Sequence, residues 1–243
     1  MKKYLLTLIL FAMAAFAQAK TLVVYYSYTN NVHKIVTELR TQIEADVVRV
    51  EPAEKGLDYA ANNYAIGSAL ISAIRNNPDD ASSYPAIDPV NVNFDEYDTI
   101  IIGAPLWWSN MAAPLQTFLF QHGKEMKGKN IGLIVSSASS GISGVEGDAK
   151  RLIPDGKFLK PSLWIRSSQT SNAKSLISDW LKAIGYDNLA GIESFENDYV
   201  SDNYMAVYNL SGHKMSNDKN LPKGVYIVRY ATNDRIQTKK IIL

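Results

Sequence analysis

Residues 27–32 carry hydroxyl and amide side chains between an apolar run and a predicted helix. Unpaired backbone N–H groups and the positive dipole end of a helix N-terminus favour a bound anion. The segment lacks both the Lys-Ser/Thr ending of a nucleoside-triphosphate loop and the GxGxxG spacing of a dinucleotide loop. It therefore indicates an anion-binding turn, with a polar turn that binds nothing as the alternative. The candidate residues are Ser27, Tyr28, Thr29, Asn30, Asn31 and Val32.

Two adjacent tryptophans follow the most apolar predicted strand. Their flat rings could stack on a planar ligand, which adds roughly 1 kcal/mol beyond the burial of surface area. The residues leave open the alternative that one or both rings pack beneath the following helix as core. The candidate residues of this segment are Pro105, Leu106, Trp107 and Trp108.

A third segment, residues 136–144, consists mainly of serine and glycine. Small residues let the backbone approach a ligand closely, so that its N–H groups can bond ring carbonyls or ring nitrogens. A flexible loop without a ligand is the alternative. The candidate residues here are Ser137, Ala138, Ser139, Ser140 and Gly141.

Short apolar runs alternate with stretches of helical periodicity along most of the chain. The predicted strands are 21–26, 45–52, 98–105, 130–137 and 158–166, and the predicted helices are 31–44, 58–75, 112–122, 144–152 and 171–184. This alternation predicts an α/β fold with a doubly wound, five-stranded parallel sheet covered on both faces. Ligands of such sheets bind beyond the carboxyl ends of the strands, so we expect the three candidate segments to meet at one edge.

The three segments together resemble the flavodoxin family, and in particular its longer, often enzyme-like or secreted members. SYTNN stands where that family has a Ser-x-Thr-Gly-Asn-Thr phosphate loop, PLWW where the branch has Pro-x-Trp-Trp, and SSASSG where it has its third flavin loop. The resemblance covers residues 21–186. It implies a flavodoxin-like fold that binds flavin mononucleotide (FMN) at the topological switch point, and flavodoxin with its FMN is a known example of this rule. Two positions depart from the motif: Asn30 replaces a glycine and Val32 replaces the final threonine.

Composition excludes several other kinds of chemistry. The chain has no cysteine, so it has no disulfide, thiol nucleophile or thiolate metal site. The spacing of its three histidines does not match that of metal ligands, which argues against a metal site. The chain also lacks the GxSxG motif of α/β-hydrolases, which argues against that class of enzyme. Residues 20–200 contain 16 basic and 21 acidic side chains, and this mildly acidic balance argues against a nucleic-acid partner.

The first 19 residues have the pattern of a secretory signal peptide. Lys2 and Lys3 precede an apolar run that is too short to span a bilayer, and Ala17-Gln18-Ala19 forms a cleavage site. We therefore expect export, with the periplasm, the cell surface or the medium as the destination.

The chain changes character after about residue 195. We predict a flavodoxin-like domain at 20–192, a linker at 193–203 and a small all-β module at 204–243. The module resembles the C-terminal sorting domain of the type IX secretion system, through VYNLSG, LPKGVYIV and its place at the extreme C-terminus. The resemblance implies secretion machinery as a partner, and a β appendage that packs or dimerises is the alternative.

The leading hypothesis is an exported FMN-binding redox protein that reduces small molecules of quinone type. The alternatives are a one-electron carrier flavodoxin and a flavin-free binding module that kept the fold. Small flavodoxins dock on basic partners and are strongly acidic, whereas residues 20–200 of this chain are only mildly acidic. We therefore favour the reductase over the carrier. The sequence assigns no catalytic residue, since a flavin carries the reactive chemistry itself. It leaves the redox partner or substrate unknown.

Overall fold

A parallel sheet forms the centre of the larger part of the chain in the computed structural model, which describes residues 19–189, 204–209, 212–215, 225–232 and 235–242. The elements up to residue 189 are β1 (Thr21–Tyr25), α1 (Asn31–Arg40), β2 (Asp46–Arg49), α2 (Ala61–Asn76), β3 (Thr99–Trp107), β4 (Asn110–Met111), α3 (Ala113–His122), β5 (Asn130–Ser137), α4 (Ser143–Leu152), β6 (Lys157–Phe158), β7 (Leu163–Arg166), α5 (Ala173–Ala183) and α6 (Tyr186–Leu189).

The strand order is β2-β1-β3-β5, and β6 and β7 share the fifth position by pairing in turn with β5. All of these pairings are parallel, while β4 folds back antiparallel on β3. Each parallel connection crosses over through a helix, as a doubly wound sheet requires. The predicted fold class, a flavodoxin-like five-stranded parallel α/β sheet, is thereby confirmed.

Both faces of the sheet are buried, because alternate residues of β3 enter different cores. Ile100 and Ile102 lie in a core with residues of α2, α3 and α4, whereas Ile101 lies in a core with residues of α1 and α5. All three isoleucines are fully buried. This burial explains why the parallel strands are continuous apolar runs rather than alternating ones.

The strands end at a common edge, and Gly103 lets α1 approach that edge. In register, Gly103 lies between Tyr25 of β1 and Ile134 of β5. A Cβ atom at Gly103 would sit 2.9 Å from Tyr25 Cβ and 3.0 Å from Val32 Cγ1. Any larger residue would push the first turn of α1 away from the sheet, so glycine fixes the position of the candidate phosphate loop.

Several element boundaries differ from the sequence-based prediction. The strand predicted at 158–166 divides into β6 and β7 around Pro161, which has no N–H to donate to the ladder. The strand predicted at 98–105 continues to Trp107, so that Pro105, Leu106 and Trp107 belong to β3 rather than to a loop. The helix predicted from residue 58 begins at Ala61.

The C-terminal region contains a separate antiparallel sheet. Its strands are β8 (Tyr204–Asn209), β9 (Lys214–Met215), β10 (Val225–Thr232) and β11 (Arg235–Ile242), in the order β11-β10-β8-β9. This confirms the small all-β module. The predicted linker at 193–203 and the predicted signal peptide, apart from Ala19, lie outside the described residues. Among the helices that the structure describes, none combines the length and apolarity needed to cross a membrane.

Candidate functional site

A cavity of about 790 Å³ lies at the carboxyl edge of the sheet, where the three candidate segments meet. The predicted residues that line it are Ser27, Tyr28, Thr29, Asn31, Val32, Pro105, Leu106, Trp107, Trp108, Ser137 and Ala138. Its volume lies within the range of about 300–1,000 Å³ that is typical of small-molecule sites. The structure therefore brings together eleven of the fifteen predicted site residues around one space.

Four predicted residues are not part of this lining: Asn30, Ser139, Ser140 and Gly141. Asn30 instead shapes the first loop, because its backbone is left-handed, with φ 62° and ψ 0°. Asparagine is among the residues that tolerate this conformation best, which explains how it replaces a glycine here. Residues 139–141 are exposed, and their contact with a ligand stays a prediction.

The polar end of the cavity is formed by the start of α1. The buried Ser27 Oγ accepts a hydrogen bond of 3.2 Å from the backbone N–H of His33, so it satisfies one N–H of the first turn of α1 and leaves the N–H groups before it for an anion. The Asn31 amide donates to Thr29 Oγ1 at 3.3 Å, which holds the loop over the helix end. The first N–H groups of a helix have no partner within it, and they offer an anion-binding surface here.

Val32 contributes backbone rather than a side-chain donor. Its side chain is 2% exposed and packs towards Gly103, in the core between α1 and the sheet. A threonine at this position would place a hydroxyl in the core between α1 and the sheet, where it would need a hydrogen-bond partner. The loop therefore depends on N–H groups and on the hydroxyls of Ser27 and Thr29 for its polarity.

The two tryptophans lie at the end of a β3–β4 hairpin and have different surroundings. Trp107 is half-buried, and its ring centroid lies 4.9 Å from that of Tyr59, 5.8 Å from Tyr26 and 6.2 Å from Tyr28. Trp108 is 42% exposed, within the same cavity. Trp107 thus packs in a cluster of tyrosines rather than beneath the following helix, and Trp108 presents an exposed ring, whose stacking on a ligand stays a prediction.

The start of α2 forms the part of the cavity wall next to Trp108. Asn62, Asn63 and Tyr64 have left-handed φ angles of 50°, 56° and 62°, so the first turn is irregular. Tyr64 is 52% exposed and meets Trp108 edge to face, with 6.1 Å between ring centroids. From the sequence, Tyr59 and Tyr64 could line a substrate pocket, although residues on a helix face more often belong to the core. The structure places both in the cavity lining, with Tyr59 buried and Tyr64 exposed at its mouth.

Tyr28 fixes this wall to the first loop. Its hydroxyl donates to Asp58 Oδ1 at 2.6 Å and accepts from the backbone N–H of Ala60 at 3.1 Å. The hydrogen bond from Tyr28 holds the pKa of the Asp58 carboxyl below its ordinary value. Tyr59 lies between these two anchor points, and its buried hydroxyl has no hydrogen-bond partner among the described residues.

The third segment, residues 136–144, is held by hydrogen bonds from β7 and the residue that follows it. Ser137 Oγ accepts from the Trp164 indole N–H at 2.8 Å and donates to the Ser140 carbonyl at 2.9 Å. Ser167 Oγ donates to the Ser137 carbonyl at 3.2 Å and also lines the cavity. Ser167 is a site residue that no sequence motif indicated, although it directly follows the predicted strand 158–166.

The cavity is electrically neutral: among the described residues, none that lines it has a charged side chain. It combines serine, threonine and asparagine groups at one end with tryptophan and tyrosine rings at the other. Over the same described ranges, no three His, Asp or Glu side chains come close enough together to hold a metal ion. The site therefore suits an organic ligand with an anionic group and a planar aromatic part.

A parallel sheet of this order, with a ligand-sized cavity at its switch point, defines a flavodoxin-like α/β protein. The chain belongs to the flavodoxin family, whose model matches residues 20–184. No curated protein matches the chain.

Solved structures share this fold. A protein designated a flavoprotein from Bacteroides eggerthii is 25% identical, with a TM-score of 0.56, and the match covers 69% of this chain and 98% of that one. A protein of the same designation from Bacteroides uniformis is 25% identical, with a TM-score of 0.52 and coverage of 66% and 98%. A flavoprotein from Lactobacillus acidophilus, in complex with FMN, is 22% identical, with a TM-score of 0.50 and coverage of 65% and 99%.

Proposed function

We propose that this protein binds FMN in the cavity between its three loops and takes part in redox chemistry. The observation that carries the proposal is the convergence of a helix N-terminus, a pair of tryptophans and a serine-rich loop around one neutral cavity. Membership of the flavodoxin family supports it, as does the fold shared with the Lactobacillus acidophilus protein that binds FMN.

The donor set fits the cofactor. FMN has a doubly charged phosphate, a polar ribityl chain and a planar ring system. The N-terminus of α1, with Ser27, Thr29 and Asn31, would hold the phosphate, because backbone N–H groups and the helix dipole favour anions without a lysine or arginine. Trp108 would cover the ring, and the backbone at Ser137 and Ala138 would face its polar edge. When bound, FMN supplies the capacity to accept and donate electrons.

Titration of the apoprotein with FMN tests this proposal. We expect saturable quenching of flavin fluorescence, with riboflavin binding more weakly because it lacks the phosphate that α1 would hold. Absence of saturable quenching at tens of micromolar FMN would contradict the proposal and favour a flavin-free binding module.

For the reaction, we propose reduction of small, neutral, planar molecules of quinone type. Two features support a small-molecule substrate: the neutral lining of the cavity, and the exposed Tyr64 and Trp108 rings at its mouth. Aromatic surface favours flat apolar substrates, and a neutral wall does not select for charged ones. Stopped-flow reduction by NADH or NADPH, followed by addition of a quinone, tests this directly.

A one-electron carrier is the second candidate, favoured by the family itself. A carrier would exchange electrons with a protein donor and would not need the aromatic mouth for a substrate. If neither nicotinamide nucleotide reduces the protein and only a protein donor does, the carrier is the correct function.

We also propose that the protein is exported through an N-terminal signal peptide and that residues 204–243 act as a sorting module recognised by type IX secretion machinery. The motifs given above and the separate antiparallel sheet support this proposal. The described residues that line the cavity all lie between 27 and 167, so we expect a chain ending after residue 200 to keep FMN binding but stay in the periplasm. Equal distribution of the full-length and truncated forms between cell fractions would contradict it.

A further inference from the structure

The hairpin that carries Trp107 and Trp108 is tied to α4 by a buried carboxylate. Asp148 Oδ2 accepts hydrogen bonds from the backbone N–H of Met111, at 2.8 Å, and from the Asn110 side-chain amide, at 3.0 Å. Asp148 is 8% exposed, and it does not line the cavity. One oxygen therefore holds both residues of β4, which are the residues that return the chain after the tryptophans.

A second set of bonds holds the same strand from the side of α3. The fully buried Gln116 donates through Nε2 to the Met111 carbonyl at 2.7 Å. Its Oε1 accepts a hydrogen bond from Arg151 Nη2 at 2.8 Å, and Arg151 Nη1 donates to the Tyr84 hydroxyl at 3.0 Å. Arg151 also lies 3.5 Å from Asp148 Oδ1, so its charge faces the buried carboxylate. Both the N–H and the C=O of Met111 are thus bound by side chains of flanking helices.

The hairpin turn is also in close contact with the first turn of α4. The turn residues Trp108 and Ser109 have φ angles of 46° and 64°, as a two-residue hairpin turn requires. A Cβ atom at Gly144 would overlap the Ser109 carbonyl oxygen, only 1.8 Å away. Because the obstructing atom is backbone, an added methyl group must displace the turn rather than rotate a side chain.

We propose that Asp148 is a positioning residue: by holding Asn110 and Met111, it sets the place of Trp108 and thereby the affinity for FMN. The proposal rests on the proposed function of the cavity. A rigid hairpin is needed because a stacking ring contributes fully only when its orientation is fixed before the ligand arrives. A two-residue strand with a single partner strand is too short to provide that rigidity by itself.

The test compares four variants of the full chain: Asp148→Ala, Asp148→Asn, Gly144→Ala and Gly147→Ala. Gly147 is the matched control for Gly144, because it lies on the same helix and a Cβ atom there meets nothing within 4 Å. Asp148→Asn keeps one acceptor and the same shape, so it serves as the conservative rescue. The readouts are the Kd for FMN, the Tm without ligand, and the hydrogen exchange rate of the Met111 amide.

We expect Asp148→Ala and Gly144→Ala to weaken FMN binding by about fivefold, the loss expected when the Trp108 ring no longer stacks, and to accelerate exchange at Met111 by a similar factor or more. Asp148→Asn should recover most of the affinity, and Gly147→Ala should remain within about twofold of the wild type. If Asp148→Ala fails to fold, Gly144→Ala tests the displaced turn with the carboxylate intact.

The proposal is overturned if folded Asp148→Ala and Gly144→Ala bind FMN like the wild type, or if Gly147→Ala loses as much affinity as Gly144→Ala. Failure of the proposed function is a different result, namely that the wild type itself does not bind FMN. The exchange rate of the Met111 amide then tests the positioning role without the ligand. An equal rate in Asp148→Ala and the wild type would show that the carboxylate does not hold the hairpin.

Discussion

The indole ring of Trp108 lies against Gly67 of α2, where a Cβ atom would sit 3.0 Å from both Cη2 and Cζ3 of the ring. Glycine costs stability inside a helix, by roughly 0.5–1 kcal/mol relative to alanine. At Gly67 the absence of a Cβ atom leaves room for the exposed indole to lie against the helix at the cavity wall. At this position α2 contributes to the site through a missing side chain, in addition to the Tyr64 ring that lines the cavity.

Filling this place should displace the ring. Gly67→Leu puts a branched side chain where the indole lies, and we expect FMN binding to weaken by about fivefold while Tm changes little. Gly67→Ala should have a smaller effect, since an exposed indole can shift by a few tenths of an ångström. Gly147→Leu, in open space on α4, is the control. Unchanged FMN affinity in Gly67→Leu would show that the ring position does not matter for binding.

Substitution of each tryptophan should separate packing from ligand contact. Trp108→Ala should reduce FMN affinity by about fivefold, the equivalent of roughly 1 kcal/mol of stacking, with little loss of stability. Trp107→Ala removes a ring packed against three tyrosines, so it should lower the free energy of unfolding by about 2–3 kcal/mol. Urea unfolding and FMN titration of both variants provide the two measurements. A larger stability loss in Trp108→Ala than in Trp107→Ala would reverse these roles.

Asn30 should act on the phosphate and not on the ring. Its left-handed backbone is compatible with glycine but costs a β-branched residue about 1–2 kcal/mol. We expect Asn30→Val to weaken FMN binding by about tenfold and to leave riboflavin binding within about twofold, while Asn30→Gly resembles the wild type. Parallel titrations with the two flavins measure this. An equal loss for both flavins would place the loop away from the phosphate.

Acid should destabilise the contact between α4 and the start of β7. Hydrogen bonds from Lys160 and Ser162 hold the pKa of the Glu146 carboxyl below its ordinary value. A lowered folded-state pKa stabilises the protein above the unfolded-state value, and this contribution is lost as the pH falls through the folded-state value.

Glu146→Gln should therefore flatten the pH dependence of the free energy of unfolding between about pH 5 and pH 3. Lys160→Met, which removes the lysine hydrogen bond to this carboxylate, should flatten it in the same way. Urea unfolding across this pH range provides the measurement. Identical slopes in the wild type and Glu146→Gln would contradict the expected role of this carboxylate.

The fold could be predicted from the sequence because its signals are local and strong. Runs such as residues 100–104 and 131–135 are continuously apolar, and only a strand buried on both faces accounts for such runs between helical stretches. The meeting of three loops then follows from topology, since the carboxyl ends of parallel strands share one edge.

The remaining features depend on tertiary contacts that no local pattern reveals. The β3–β4 hairpin turns at Trp108 and Ser109, which lack the Asn-Gly signature of such turns, and it is held by Asp148, 37 residues beyond Met111. The place of Tyr64 depends on a left-handed first turn of α2 that its helical periodicity conceals. Ser167 enters the site because β7, rather than β6, extends to the carboxyl edge.

Mapping FMN binding by the backbone and indole N–H resonances of the isotope-labelled protein tests the central claim most directly. We expect saturable shifts at Thr29, Asn31 and Val32, at the Trp108 indole, and at Ser137 and Ala138, with the α5 resonances unchanged. Shifts confined to other parts of the chain, or no saturable shifts, would contradict the proposal that this cavity binds FMN.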